Sequence, residues 1–133
     1  MTRISEADFL ALTGKPPKKA KYKNHKPEYY DPELKETIKF DSDKERDYYL
    51  ILKDRAKKGE LKDLRRQVTI EIQPAFTAVT GERIQAINYK ADFIYFDLKD
   101  GREHIIDVKG YKTEIYKLKY KLLLYKGIVI EEV

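Results

Sequence analysis

YKADFIYFDLKDGREHIIDVKG, from Tyr89 to Gly110, decides how the chain reads. Two runs rich in aromatic and β-branched residues flank Asp100-Gly101, a strong hairpin signal. Side chains alternate faces along a strand. Asp92, Ile94 and Phe96 therefore share one face of the first strand, and Ile105, Asp107 and Lys109 share one face of the second.

Loop length sets the register that joins these faces. A two-residue Asp100-Gly101 loop puts Asp92 opposite Lys109, whereas a four-residue loop from Leu98 to Gly101 puts Asp92 opposite Asp107. Both gather Asp92, Asp107 and Lys109 on one face. A three-residue loop without a bulge would separate them. Two carboxylates and a Lys on a largely apolar strand face form either a solvated ion pair or a cation site. Hard divalent ions take carboxylate oxygens, and a neighbouring ammonium can help hold a water or an anionic intermediate.

The 133 residues suffice for one α/β domain with a single core. There is no Cys, which excludes disulfides and thiolate zinc sites. His25 and His104 are the only two His, so a His-rich metal site is excluded as well. No long apolar run or leader pattern appears, which predicts a soluble, cytoplasmic protein with no membrane partner. The net charge of +5 suits a polyanion. Its excess gathers at Lys15, Lys18, Lys19, Lys21, Lys23 and Lys26, a stretch free of Asp and Glu. This segment reads as an arm neutralising nucleic-acid phosphates or as a solvated linker.

Upstream of the arm, Ile4, Phe9, Leu10 and Leu12 predict a short helix. Downstream, Tyr29-Tyr30-Asp31-Pro32 predicts a turn. Ser42-Asp43-Lys44-Glu45 is a capping-box sequence that predicts a helix over 42–58, ended by Gly59. Glu45 lies three and four positions before Tyr48 and Tyr49, which puts it on the inward side of that helix. Its carboxylate either closes the cap or points into a metal site. Alternation predicts a strand over 64–73, stopped by Pro74, then a long connection to Asn88. After the hairpin, Thr113 can cap a helix over 113–125, followed by a last strand over 128–133. Ile115, Leu118, Leu122 and Tyr125 form one apolar flank of this helix, and Tyr116, Tyr120 and Leu123 another. Lys119 lies between them and either snorkels or serves a site, while Lys117 and Lys121 fall on the polar side.

Asp92 followed by Asp107-Val108-Lys109, with Ala91 where a Pro often precedes the first Asp, resembles the signature of the PD-(D/E)XK nuclease superfamily. The predicted order of helix, three strands, helix and strand is similar to its restriction-endonuclease-like core. The resemblance covers about residues 37–133, behind an N-terminal segment 1–36. It looks closest to a group of small phage-encoded endonuclease-like proteins with a Holliday-junction-resolvase-like core. Their spaced motifs resemble Lys21-Tyr22-Lys23-Asn24, Phe40 to Glu45, Gly59, Gln67, Tyr89 to Phe93, Asp107 to Gly110, and Thr113, Tyr116 and Lys119 here.

The resemblance implies a Mg²⁺- or Mn²⁺-dependent DNA endonuclease, with branched DNA among its expected substrates. It implies Glu45, Asp92, Asp107 and the Val108 carbonyl as metal ligands, Lys109 beside them, and Gln67, Tyr116 and Lys119 as auxiliary groups. It leaves the oligomeric state open, a homodimer included. The competing expectation is a non-catalytic phage DNA-binding or regulatory protein on the same fold, since a fold does not fix an activity.

Overall fold

The computed structural model describes residues 26–108 and 112–133. The expected N-terminal helix, the arm up to Lys23, and Lys109 lie outside the described residues. The chain divides into two units, the first closing at Asp43 and the second spanning Lys44–Val133.

In the first unit, β1 (Glu28–Asp31) and β2 (Glu36–Lys39) form an antiparallel hairpin. The sequence predicts only a turn near Asp31, because two four-residue strands carry too little alternation to register. The Asp31 carboxylate makes the connection by accepting from the Glu33 amide at 2.9 Å and the Leu34 amide at 3.3 Å.

The second unit is an α/β arrangement of two helices on a mixed four-stranded sheet. Its helix α1 (Asp43–Lys57) begins at the first unit's last residue. The sheet comprises β3 (Leu61–Gln73), β6 (Ile87–Asp97), β7 (Arg102–Asp107) and β8 (Ile130–Glu132), in the order β3-β6-β7-β8. The first three strands pair antiparallel. Helix α2 (Glu114–Tyr125) is the crossover that lets β8 run parallel to β7. Thr113 caps α2 as its type predicts, accepting from the Tyr116 amide at 3.0 Å.

The predicted elements are present with shifted ends: β3 starts three residues earlier than 64, and β8 takes up only Ile130–Glu132 of the expected 128–133. Within the connection expected from Ala75 to Asn88, β4 (Phe76–Thr77) and β5 (Arg83–Ile84) form a small hairpin of their own. Two-residue strands are too short to show a period.

Ala91 to Tyr95 are all buried, which marks β6 as covered on both faces. On one side the Tyr48 and Tyr49 rings of α1 pack 6.0 and 6.1 Å from the Phe93 ring. On the other, Tyr116 and Leu123 of α2 join Ile72, Tyr89, Ala91, Ile94 and Ile130 in an apolar core. Of the predicted α2 flanks, the Tyr116–Leu123 side is the buried one, while Ile115, Leu118 and Tyr125 are exposed.

Candidate functional site

The observed register decides between the two hairpin alternatives. Phe93 pairs with Ile106 and Asp97 with Arg102, so the loop is the four-residue Leu98–Gly101. Gly101 takes φ +69° and donates its amide to the Asp97 carbonyl at 2.9 Å, a turn that a side chain would strain. Asp92 and Asp107 each lie one residue beyond the paired Phe93 and Ile106.

Both carboxylates are buried, Asp92 at 5 % exposure and Asp107 at 0 %. Glu45 joins them at 3 %, on the face of α1 that also buries Tyr49 and Leu52. That spacing of four and seven residues is one helical stripe. Three buried carboxylates thus come from three elements, and buried charges require donors or a cation.

Neutral donors meet them. Gln67 Nε2 donates to Glu45 Oε2 at 3.2 Å and to Asp92 Oδ1 at 3.4 Å. The carboxylate oxygens accept, so it is the amide's NH₂ end that faces them. The Val108 amide donates to Asp92 Oδ2 at 2.7 Å. The Tyr89 hydroxyl donates a hydrogen bond to Asp107 Oδ2. Burial, then that bond to a carboxylate, pushes the Tyr89 phenol well above its ordinary range, so it stays a donor.

Gln67 has φ +52° in the middle of β3, between Arg66 and Val68, which both pair with β6. A non-glycine residue in this conformation is strained by about 1–3 kcal/mol. The register places it opposite Asp92. Here the alternation of β6 changes phase, since the core that holds Tyr89 and Ala91 next takes Ile94. Strict alternation puts Tyr89 and Asp107 on opposite faces, and the phase change brings them together. Sequence reasoning therefore misses Tyr89 as the donor to Asp107, although it quotes Tyr89 as part of a motif.

Hydrogen bonds join Glu45, Gln67, Asp92 and the Val108 amide, and a separate one joins Asp107 to Tyr89. Tyr116 stands one ring away, 6.2 Å from Tyr89, and its hydroxyl donates to Glu132 at 2.7 Å. Lys119 is half-buried on the same helix. Lys26 is exposed and pairs with Asp41 at 3.5 Å. Among the described residues, the group of three acidic or His side chains whose ligand atoms lie within 4.8 Å of one another is instead Asp97, Asp100 and His104.

That second cluster is an ion-pair arrangement. His104 Nε2 lies 2.7 Å from Asp100 and Nδ1 2.5 Å from Glu131. With both ring nitrogens facing carboxylates, no lone pair is left for a metal. Burial opposes the ring's charge, but the bonds to Asp100 and Glu131 outweigh it, and the His104 pKa is raised.

Residues 19–131 match a protein-family profile described as "Protein of unknown function (DUF1064)". The chain belongs to this family. Its matched span takes in Glu45, Gln67, Asp92, Asp107 and Lys109, and the arm from Lys19 onward. No curated protein and no solved structure matches the chain. Among the described residues, no helix is long and apolar enough to cross a membrane.

Proposed function

We propose that this DUF1064 protein is a divalent-metal-dependent endonuclease that hydrolyses DNA phosphodiester bonds on a restriction-endonuclease-like PD-(D/E)XK core. The observation that carries the reading is the burial of Glu45, Asp92 and Asp107, two of them bridged by a single neutral amide.

The donor set fits Mg²⁺ or Mn²⁺. It is all oxygen: three carboxylates, with the Val108 carbonyl at the end of β7 as a further ligand. Gln67 Nε2 stands where a cation between Glu45 and Asp92 would offset the same two charges. Such an ion supplies Lewis acidity and lowers the pKa of its bound water.

The chain's own groups do the rest. Asp92 and Asp107, fixed by the Val108 amide and the Tyr89 hydroxyl, are pre-oriented acceptors. Lys109, two residues beyond Asp107, orients the attacking water and offsets charge building on the phosphate. Lys119 assists at the phosphate. The Lys-rich arm grips the backbone without reading sequence.

The test is a Mn²⁺ thermal-shift titration of wild type, Asp107→Asn and Lys109→Ala, beside cleavage of branched and linear DNA. Ligand linkage raises the wild-type melting temperature. Asp107→Asn loses both the shift and cleavage, whereas Lys109→Ala keeps the shift and loses cleavage. Wild type with neither shift nor cleavage overturns the reading and leaves a non-catalytic DNA-binding protein.

A further inference from the structure

A pocket of about 310 Å³ is lined by Lys112, Tyr116, Lys117, Tyr120 and Glu132. Asp107 pairs with Glu132 across β7 and β8, and the Val133 amide donates to the Asp107 carbonyl at 3.0 Å. Glu132 therefore sits one strand spacing, roughly 4.8 Å, from Asp107. From the other side, Tyr89 joins Asp107 to Tyr116. The pocket thus lies next to Asp107.

Its lining has a specific chemistry. The Tyr116 and Tyr120 rings are 6.1 Å apart and inclined at 43°, so they splay and do not stack on one another. Tyr120 remains half-buried, with ring surface open to a ligand. At the floor, the Glu132 carboxylate accepts from the Tyr116 hydroxyl at 2.7 Å and pairs with Lys112 at 3.0 Å. Both oxygens of that carboxylate keep lone pairs that can accept from exocyclic amino groups. Tyrosine faces offer stacking that any base can use. The volume lies at the lower end of the ligand-pocket range, roughly 300–1,000 Å³.

We infer that this pocket receives an unpaired nucleobase next to the scissile phosphate, stacked on Tyr120 and facing the Glu132 carboxylate. The inference rests on the phosphodiesterase reading of the adjacent carboxylates and deepens it. A base can enter only after leaving its helix, so the substrate class becomes nucleic acid with an unpaired nucleotide at the cut: a single strand, a gap or a branch. Fully paired duplex pays the unstacking energy first.

The experiment measures binding in EDTA, where neither metal nor turnover enters. The full chain is titrated into a single-stranded oligonucleotide carrying one 2-aminopurine, and into the same strand within a duplex. Fluorescence anisotropy gives the affinities. Wild type binds the single strand more tightly and quenches its 2-aminopurine. Tyr120→Leu weakens single-strand binding ~5- to 100-fold and leaves duplex binding within about twofold of wild type. Tyr120→Phe, which keeps the ring, restores it. Equal wild-type affinity for both forms without quenching overturns the pocket, as does a folded Tyr120→Leu that binds like wild type. The wild-type arm decides the matter even where Tyr120→Leu fails to fold. Absence of cleavage in the earlier assay overturns the nuclease proposal without changing any reading here.

Discussion

The side-chain amide of Gln67 donates to the Glu45 carboxylate across 3.2 Å, tying β3 to α1. The same nitrogen serves Asp92, so one neutral group sits between two buried acids. Gln67→Glu replaces that donor with a third carboxylate. Without divalent ions it lowers stability by about 1–3 kcal/mol in urea unfolding at neutral pH. Mn²⁺ recovers much of the loss, since added negative charge strengthens a cation site. A Gln67→Glu protein as stable as wild type in EDTA would show that the carboxylates do not feel one another.

Tyr89→Phe removes the hydroxyl that donates to Asp107. The ring still fills the core, so the change isolates a hydrogen bond to a buried acceptor. The expected loss is about 1–3 kcal/mol, read by denaturant midpoint at unchanged slope. A shift no larger than that of an exposed control, such as Tyr125→Phe, sinks the assignment.

His104 gives the fold a pH dependence of known sign. Its pKa is raised in the folded state against the bonds' cost of burial, through Asp100 and Glu131. The stabilisation is fully present below the ordinary value of 6.5 and is lost as pH rises through the raised folded value. Melting temperature should therefore fall on going from slightly acid to mildly alkaline pH. In His104→Gln that component of the slope should vanish. A wild-type profile that rises with pH over this window contradicts the ion-pair reading.

The basic arm makes a quantitative prediction. If its Lys residues meet phosphates, each Lys→Gln that removes a contact lowers the slope of log K against log salt by about 0.9 on duplex DNA. Lys15, Lys18, Lys19, Lys21, Lys23 and Lys26 are the positions to change. Cleavage per bound complex should be unaffected. An unchanged salt slope reduces the arm to a linker.

Leu123 at the sheet face of α2 is fully buried. Leu123→Ala should destabilise by about 2–5 kcal/mol. The exposed Leu118→Ala on the same helix should change stability by no more than about 0.5 kcal/mol, as thermal or urea unfolding can show.

Local sequence by itself determined the long elements and the inward side of α1. Helical spacing buried Glu45 with Tyr49 and Leu52, and Thr113 marked the start of α2. The β6–β7 hairpin was legible because Asp100-Gly101 sits between two aromatic and β-branched runs. The short hairpins β1–β2 and β4–β5 were not, because strands of two to four residues carry no measurable period. Tertiary structure alone decided the rest. It selected the four-residue loop from two registers that local chemistry left equivalent. It put Gln67 at φ +52° and changed the phase of β6. No one-strand pattern encodes that step, because a positive φ at a non-glycine residue is held by the neighbouring strand and not by the residue itself. The consequence is the Tyr89–Asp107 bond, between residues that alternation assigns to opposite faces.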